Sequence, residues 1–335
     1  MKVARVWILI VALAMLLAAA ACERSDPLTP VRETAPAPDV KPKKTYKDLI
    51  VGYAQLGAES EWRSANTASV KEAAETLGVE LKFSDAQQKQ ENQIKAIRSL
   101  IAQRVDVIGV APITETGWDE VFKEAKDAGI PIILVDRRAA VPPDLYVTLM
   151  GSDFLEEGRK AARIMAELTN GQANIVELVG TIDSAPANDR YKGFREILQA
   201  YPGMKIIDSR SGDFTLAQGK EVMEAFLKTH GKNITAVYAH NDDMALGAIK
   251  AIEAYGLRPG VDIKIVSVDA ARGAFEAMIA GKLNATVECN PLLGPKFLEL
   301  ALKVANGETV PKWVPSEEGV FFPDNAKEIL LTRKY

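Results

Sequence analysis

Cysteine and histidine are nearly missing from this chain, which has two of each in 335 residues. Cys22 and Cys289 alone cannot build a disulfide framework, and so few sulfur and nitrogen donors leave a dedicated metal centre without its usual ligands. Neither His230 nor His240 lies close to Cys289 in sequence, so Cys289 reads as a small buried residue rather than an activated nucleophile. Charge of one sign is lacking too: 41 Lys and Arg face 45 Asp and Glu, a net charge of -4. That balance excludes the broad cationic face expected of a nucleic-acid binder or a protein held electrostatically on anionic lipid. No phosphate-cradling loop and no nucleophile motif occurs, and no cofactor is expected.

What is present begins with a targeting pattern. Lys2 and Arg5 precede an apolar stretch from Trp7 to Leu17, which falls short of the ~20 residues needed to span a bilayer. Small residues Ala18 to Ala21 then lead into Cys22, and this run resembles a bacterial lipobox with Ala19 where Leu is preferred. Residues 1–21 are therefore expected to be a signal peptide and Cys22 the lipidated first residue of the mature chain. Pro27, Pro30, Pro36, Pro38 and Pro42 follow with almost no large apolar side chains, so residues 22–45 read as a semi-extended tether reaching ~3.1 Å per residue. The anchor and the tether place the body in the periplasm or on the outer face of the cell membrane.

From Leu49 onward, short apolar runs alternate with helical patterns. Leu49 to Ala54, Val105 to Val110, Ile132 to Val135, Asn174 to Val179, Ala236 to Tyr238 and Ile263 to Val268 read as strands. Glu61 to Leu77, Gln87 to Gln103, Phe154 to Leu168, Arg190 to Ala200 and Met244 to Ala254 are among the helices between them. Such alternation predicts an α/β fold with parallel sheets covered on both faces. With 47% hydrophobic composition the chain can fill two cores, since single cores stop growing near ~250 to 300 residues. Residues 129–136 and 262–269 both end in Asp after a buried strand pattern, and 105–112 precedes the first as 234–241 precedes the second. One α/β unit used twice would give two halves facing one cleft.

Ligands of open α/β sheets sit beyond the carboxyl ends of the strands, so the strand-end loops hold the candidate site. The first supplies Glu59, Ser60, Trp62 and Arg63. Others supply Asp136 and Arg137, then Arg190, Asn241, Asp269 and Glu288. Planar carboxylate, amide and guanidinium ends can grip neighbouring sugar hydroxyls two at a time, and an aromatic ring can cover the less polar face. Convergence of these loops on one edge favours a small-polyol site, although each residue alone could cap a helix or face solvent.

The order of these motifs resembles the type I periplasmic sugar-binding proteins of ABC importers, the ribose-binding group. The stretches carrying the resemblance are 58–63, 85–96, Gly117-Trp118, 211–215, 219–223 and 238–244, and they are most similar to the galactofuranose-binding members. That resemblance implies two doubly wound lobes joined by three hinge strands: 46–151 with 290–317, and 152–289 with 318–335. It implies a monosaccharide, galactofuranose or a relative, held by Glu59, Ser60, Trp62, Arg63, Asp136 and Arg137 from one lobe. Arg190, Asn241 and Asp269 would close from the other, with Glu288 near the hinge. Glu61 stands where galactofuranose-binding members have Gly, so it points outward or alters the sugar preferred.

A membrane permease is the implied partner of a monomer, with a chemotaxis or signalling receptor as the alternative. A carbohydrate-active enzyme would use Asp136 and Asp269 as acid and base, but these carboxylates are more simply acceptors for hydroxyls. The effector half of a repressor would need an N-terminal helix-turn-helix, and this chain has the targeting segment there.

Overall fold

In the computed structural model the described residues are 42–335. The expected signal peptide, Cys22 and the tether up to residue 41 lie outside the described residues. At the tether's end, the Lys44 backbone donates to Asn306 Oδ1 at 2.7 Å and its ammonium pairs with Asp106 at 2.8 Å, so residue 44 is already fastened to the body. Among the described residues, no helix is long and apolar enough to cross a membrane.

The first half alternates β1 (Ile50–Gln55), α1 (Glu61–Leu77), β2 (Glu80–Asp85), α2 (Gln90–Ala102), β3 (Val107–Val110), α3 (Asp119–Asp127), β4 (Ile132–Val135) and β5 (Thr148–Gly151). The second runs through α4 (Phe154–Leu168), β6 (Ala173–Val179), α5 (Ala185–Leu198), β7 (Met204–Ser211), α6 (Leu216–His230), β8 (Ala236–Ala239), α7 (Asp242–Ala254), β9 (Lys264–Asp269), α8 (Arg272–Ile279) and β10 (Ala285–Glu288). Then α9 (Gly294–Ala305) and β11 (Trp313–Pro315) return to the first sheet, while β12 (Val320–Phe321) and α10 (Pro323–Thr332) rejoin the second.

The two six-stranded sheets have one plan, with orders β2-β1-β3-β4-β5-β11 and β7-β6-β8-β9-β10-β12. They differ at the last strand, which is parallel in the first (β5 with β11) and antiparallel in the second (β10 with β12). The repeated pattern read from the sequence thus corresponds to β3 and β4 in one sheet and β8 and β9 in the other. Strands β3, β4 and β8 are buried along their whole length, as a parallel sheet covered on both faces requires.

Gly78, Gly129, Gly256 and Gly281 each adopt positive φ just after a helix, the left-handed position glycine enters without strain. Two other glycines set a helix contact that carries the site. A Cβ on Gly158 would lie 2.4 Å from the Arg190 carbonyl oxygen, and one on Gly193 would lie 2.0 Å from that of Leu155. Helices α4 and α5 therefore touch backbone to backbone, which fixes Arg190 over the second sheet.

Several boundaries differ from the sequence expectation. Helix α5 starts at Ala185 rather than Arg190, because Pro186 is tolerated in a first turn whose amides need no intrahelical acceptor. Strand β5 and helices α9 and α10 were not among the sequence-derived elements; α9 and α10 also carry proline in the first turn. Helix α7 starts at Asp242 rather than Met244, and Asn241 caps it by accepting the Met244 amide at 3.1 Å. Asp242 is buried, accepting from Thr286 Oγ1 at 2.9 Å, from the Ala271 amide at 2.8 Å and from Ser267.

Candidate functional site

The chain passes between the sheets at 152–153, 289–293 and 316–319, and the carboxyl edges of both sheets face one cavity beside these crossings. The first lobe contributes the loop after β1 and the loop after β4. Gln93, fully buried, ties the ends of β1 and β3 together, donating to the Ala54 and Ala111 carbonyls at 2.9 and 2.8 Å. Ser60 caps α1 by accepting the Arg63 amide at 3.1 Å, so the first turn of α1 presents Glu59, Ser60, Trp62 and Arg63 to the cavity.

Asp136, at the end of β4, has φ of 68°, in the left-handed region that a residue with a side chain enters at a cost. Gly151 makes room for it, since a Cβ there would lie 2.9 Å from the Asp136 Cα. Asp269, at the equivalent end of β9, has φ of 123° and is followed by Ala270 at 60°. Both strand-end aspartates thus occupy strained backbone beside the cavity.

Charge in the site is balanced by three carboxylates, Glu59, Asp136 and Asp269, against the guanidinium groups of Arg63, Arg137 and Arg190. Arg63 pairs with Asp136 at 2.6 Å and with Glu59 at 3.3 Å, and it lies 4.5 Å over the Trp62 ring. Burial works against its charge, but Asp136 and Glu59 hold its pKa above the usual value. Arg137 fares differently. Burial, helped by the positive charge of Arg63, lowers it to about 10, and its contacts with Glu59 and Asp136 are long at 3.6 and 3.7 Å. Arg190 is held firmly by Glu157 at 2.7 Å and by the His240 carbonyl at 2.6 Å. Burial pushes the Asp269 carboxyl well above the carboxylate range, although Arg190 is 3.7 Å away.

Nine of the ten ligand-binding residues expected from sequence line this cavity. Glu288 does not: Arg333, Tyr335 and the Gly319 amide hold its carboxylate at 2.6, 2.8 and 2.9 Å. Glu288 ends β10 beside the second crossing, near the hinge as the resemblance implies, and the C-terminal segment comes back to cover its carboxylate. Glu61 faces solvent, and its backbone amide donates across the cleft to Asp243 at 3.0 Å.

Four lining residues escaped the sequence reading, namely Phe154, Pro186, Phe214 and Cys289. A search for polar strand-end groups passes over all of them. Phe214 follows Asp213, both at positive φ, and its ring lies 5.3 Å from the Arg137 guanidinium and 6.0 Å from that of Arg190. Its carbonyl accepts from Asn241 Nδ2 at 3.0 Å. The indole of Trp62 donates to the Cys289 carbonyl at 2.6 Å, pinning the ring against a crossing segment.

A further set of contacts crosses the mouth of the cleft. Arg138 of the first lobe pairs with Asp189 of the second and reaches Glu115 at 2.7 Å. Asn188 donates to Glu115 at 3.1 Å, and the Glu115 amide donates to the Asp183 carbonyl at 2.9 Å.

Residues 51–309 match the family model described as a periplasmic binding protein domain. The chain belongs to this family. It is 47% identical over 291 residues to the galactofuranose-binding protein YtfQ of Escherichia coli (strain K12), an alignment covering 85% of this chain and 92% of that protein. A crystal structure from Mycobacterium smegmatis in complex with β-D-fucofuranose superposes with a TM-score of 0.84 at 52% identity, covering 86% of this chain and 95% of the other. The periplasmic binding protein component of the arabinose ABC transporter from Shewanella sp. ANA-3, bound to α- and β-L-arabinofuranose, gives 0.83 at 47% identity, covering 85% and 95%. The fold is that of a type I periplasmic binding protein, and the relatives are binding proteins, not enzymes. This chain is a binding protein of the same kind.

Proposed function

We propose that this chain captures a monosaccharide in its five-membered ring form, galactofuranose or a close relative, and delivers it to the membrane permease of an ABC importer. One observation carries the reading. Among the described residues, five buried side-chain polar atoms have no partner, and three of them, Glu59 Oε2, Arg63 Nη1 and Arg137 Nε, belong to side chains lining the cavity. An unpaired buried donor or acceptor costs about 1 to 3 kcal/mol, so these atoms are arranged for a ligand that supplies both acceptors and donors. Sugar hydroxyls do both, while Trp62, Phe154 and Phe214 offer apolar faces.

The furanose preference is supported by the relatives named above, whose ligands or names specify furanose sugars. In this reading, residues 46–151 with 290–317 move as one lobe and 152–289 with 318–335 as the other. Contacts available only when the lobes meet draw an open population closed. Ser60, Arg190, Asn241 and Asp269 complete the grip. The lipobox-like run ending at Cys22 and the proline-rich segment behind it support a monomer tethered by lipid to the outer face of the membrane. Calorimetric titration of the purified mature chain with D-galactose, L-arabinose and D-ribose tests the function. Binding of the first two, with the bound ring form read by NMR as a furanose, is expected. A bound pyranose, or turnover of the sugar, overturns it. Mass spectrometry of the mature N-terminus tests the anchor, and any first residue other than a lipidated Cys22 removes it.

A further inference from the structure

Each of the three crossings between the lobes contributes one side chain to a single cluster, in which Ser152 and Cys289 are buried and Glu318 is partly buried. Ser152 comes from the first crossing, Cys289 from the second and Glu318 from the third. Ser152 Oγ lies 3.2 Å from Cys289 Sγ and donates to Glu318 Oε1, which also accepts the Asn290 amide at 3.0 Å. The three chain segments that must bend for the cleft to open are thus hydrogen-bonded through one carboxyl.

That carboxyl faces another. Oxygens of Glu157 and Glu318 and the Cys289 sulfur lie within 4.8 Å of one another. Glu157 Oε2 is taken by Arg190, while Glu157 Oε1 is buried without a partner. With Glu157 buried and Glu318 largely covered, burial and mutual repulsion both disfavour a second charge on two carboxylates this close. Arg190 neutralises one. A proton on the other would remove the second charge and bring a donor into the neighbourhood of the unpartnered Glu157 oxygen. A metal ion fits the same donors less well, since the Arg190 guanidinium already stands 2.7 Å from Glu157 and burial keeps the thiol of Cys289 protonated.

We propose that Glu318 is a positioning residue for ligand binding: a proton held between its carboxyl and Glu157 fastens the three crossings in the closed arrangement, so that closure takes up a proton. Burial first and Glu157 second push Glu318 up to about 8, against the hydrogen bonds from Ser152 and Asn290. The other charged groups facing it are Arg190 from α5, Lys160 of α4, whose ammonium reaches the Glu318 carbonyl at 3.1 Å, and, beyond Gly319, the Glu288–Arg333 pair. Asp269 lies further along, behind Arg190. With the closed-state value raised above that of the open state, closure is strongest at low pH, weakens as pH rises toward 8 and levels off above it.

The inference rests on lobe closure as set out under Proposed function, and the test separates the two. The mature chain carrying Cys22→Ser is used, so that Cys289 is its single thiol. Between pH 6 and 8 the Kd for the tighter binding of D-galactose and L-arabinose should rise by up to about tenfold per unit. Glu318→Gln, which keeps a hydrogen-bonding amide but cannot titrate, should lose most of that slope, and Glu318→Ala should bind more weakly throughout. Independently of any sugar, alkylation of Cys289, normalised to the thiolate fraction of a free thiol, should accelerate with pH in the wild type and not in Glu318→Gln. Equal pH slopes and equal alkylation profiles for wild type and Glu318→Gln overturn the inference. Alkylation profiles that differ as expected, in a protein that binds neither sugar, uphold it and sink the furanose reading alone.

Discussion

Arg137 and Arg190 look alike in sequence, yet the structure assigns them opposite balances between binding and stability. Replacing Arg137 by Met keeps the bulk of the side chain and removes a guanidinium whose Nε has no partner and whose one hydrogen bond is to the Ile113 carbonyl at 3.2 Å. Burial and the neighbouring Arg63 already disfavour its charge. The unliganded protein therefore loses little, and its thermal midpoint should stay level or rise. Binding should suffer, because one or two charge-assisted hydrogen bonds to the sugar disappear at about 1.5 to 3 kcal/mol, which is roughly 10- to 150-fold in Kd. Arg190→Met should behave the other way. It strands the buried Glu157 carboxylate, and breaking a buried pair costs about 3 to 5 kcal/mol. Thermal unfolding without sugar and calorimetric titration with it separate the two effects. If Arg137→Met binds within twofold of the wild type, or is destabilised as much as Arg190→Met, the reasoning about unpaired atoms is wrong.

Three further outcomes are expected. Gly180→Ala would set a Cβ 1.9 Å from the Phe214 ring, so the ring must leave the cavity; stability should fall by about 1 to 3 kcal/mol and sugar affinity with it, and an unchanged titration would free Phe214 of any role. Asp189→Asn removes the charge opposite Arg138 at the mouth of the cleft, and because both groups are partly exposed the loss should be only about 0.5 to 1 kcal/mol of binding, shrinking further in high salt. A salt-independent effect would argue against a screened ion pair. Burial alone would raise Glu177, but His240 and Arg195 hold it down at about 2, so its contribution is present above the ordinary carboxylate value and is lost as pH falls toward 2. Acid unfolding followed by circular dichroism should therefore be less steep for Glu177→Gln, and identical acid limbs would discount this cluster.

The parallel sheets were legible because their strands are buried on both faces and read as unbroken apolar runs, as in Ile132–Val135 and Ala236–Ala239. The polar site was legible for a related reason, since Asp136 and Asp269 end such runs at the edge where ligands bind. Phe214 was not, for an aromatic residue beside the cavity looks like core until its left-handed backbone is seen. For Glu288, strand position does not reveal that Arg333, 45 residues on, will take its carboxylate. Cys289 was read correctly as buried, but sequence could not place it on a crossing beside Ser152 and Glu318.

The exchange of late strands between the sheets bears on how the molecule is assembled. β11 completes the first sheet and β12 the second, so neither half is a contiguous stretch of chain. A polypeptide emerging from its amino end cannot finish either half until its last strands have been made. Order of synthesis and order of assembly are thereby uncoupled, and the nascent chain remains incompletely folded almost to its end.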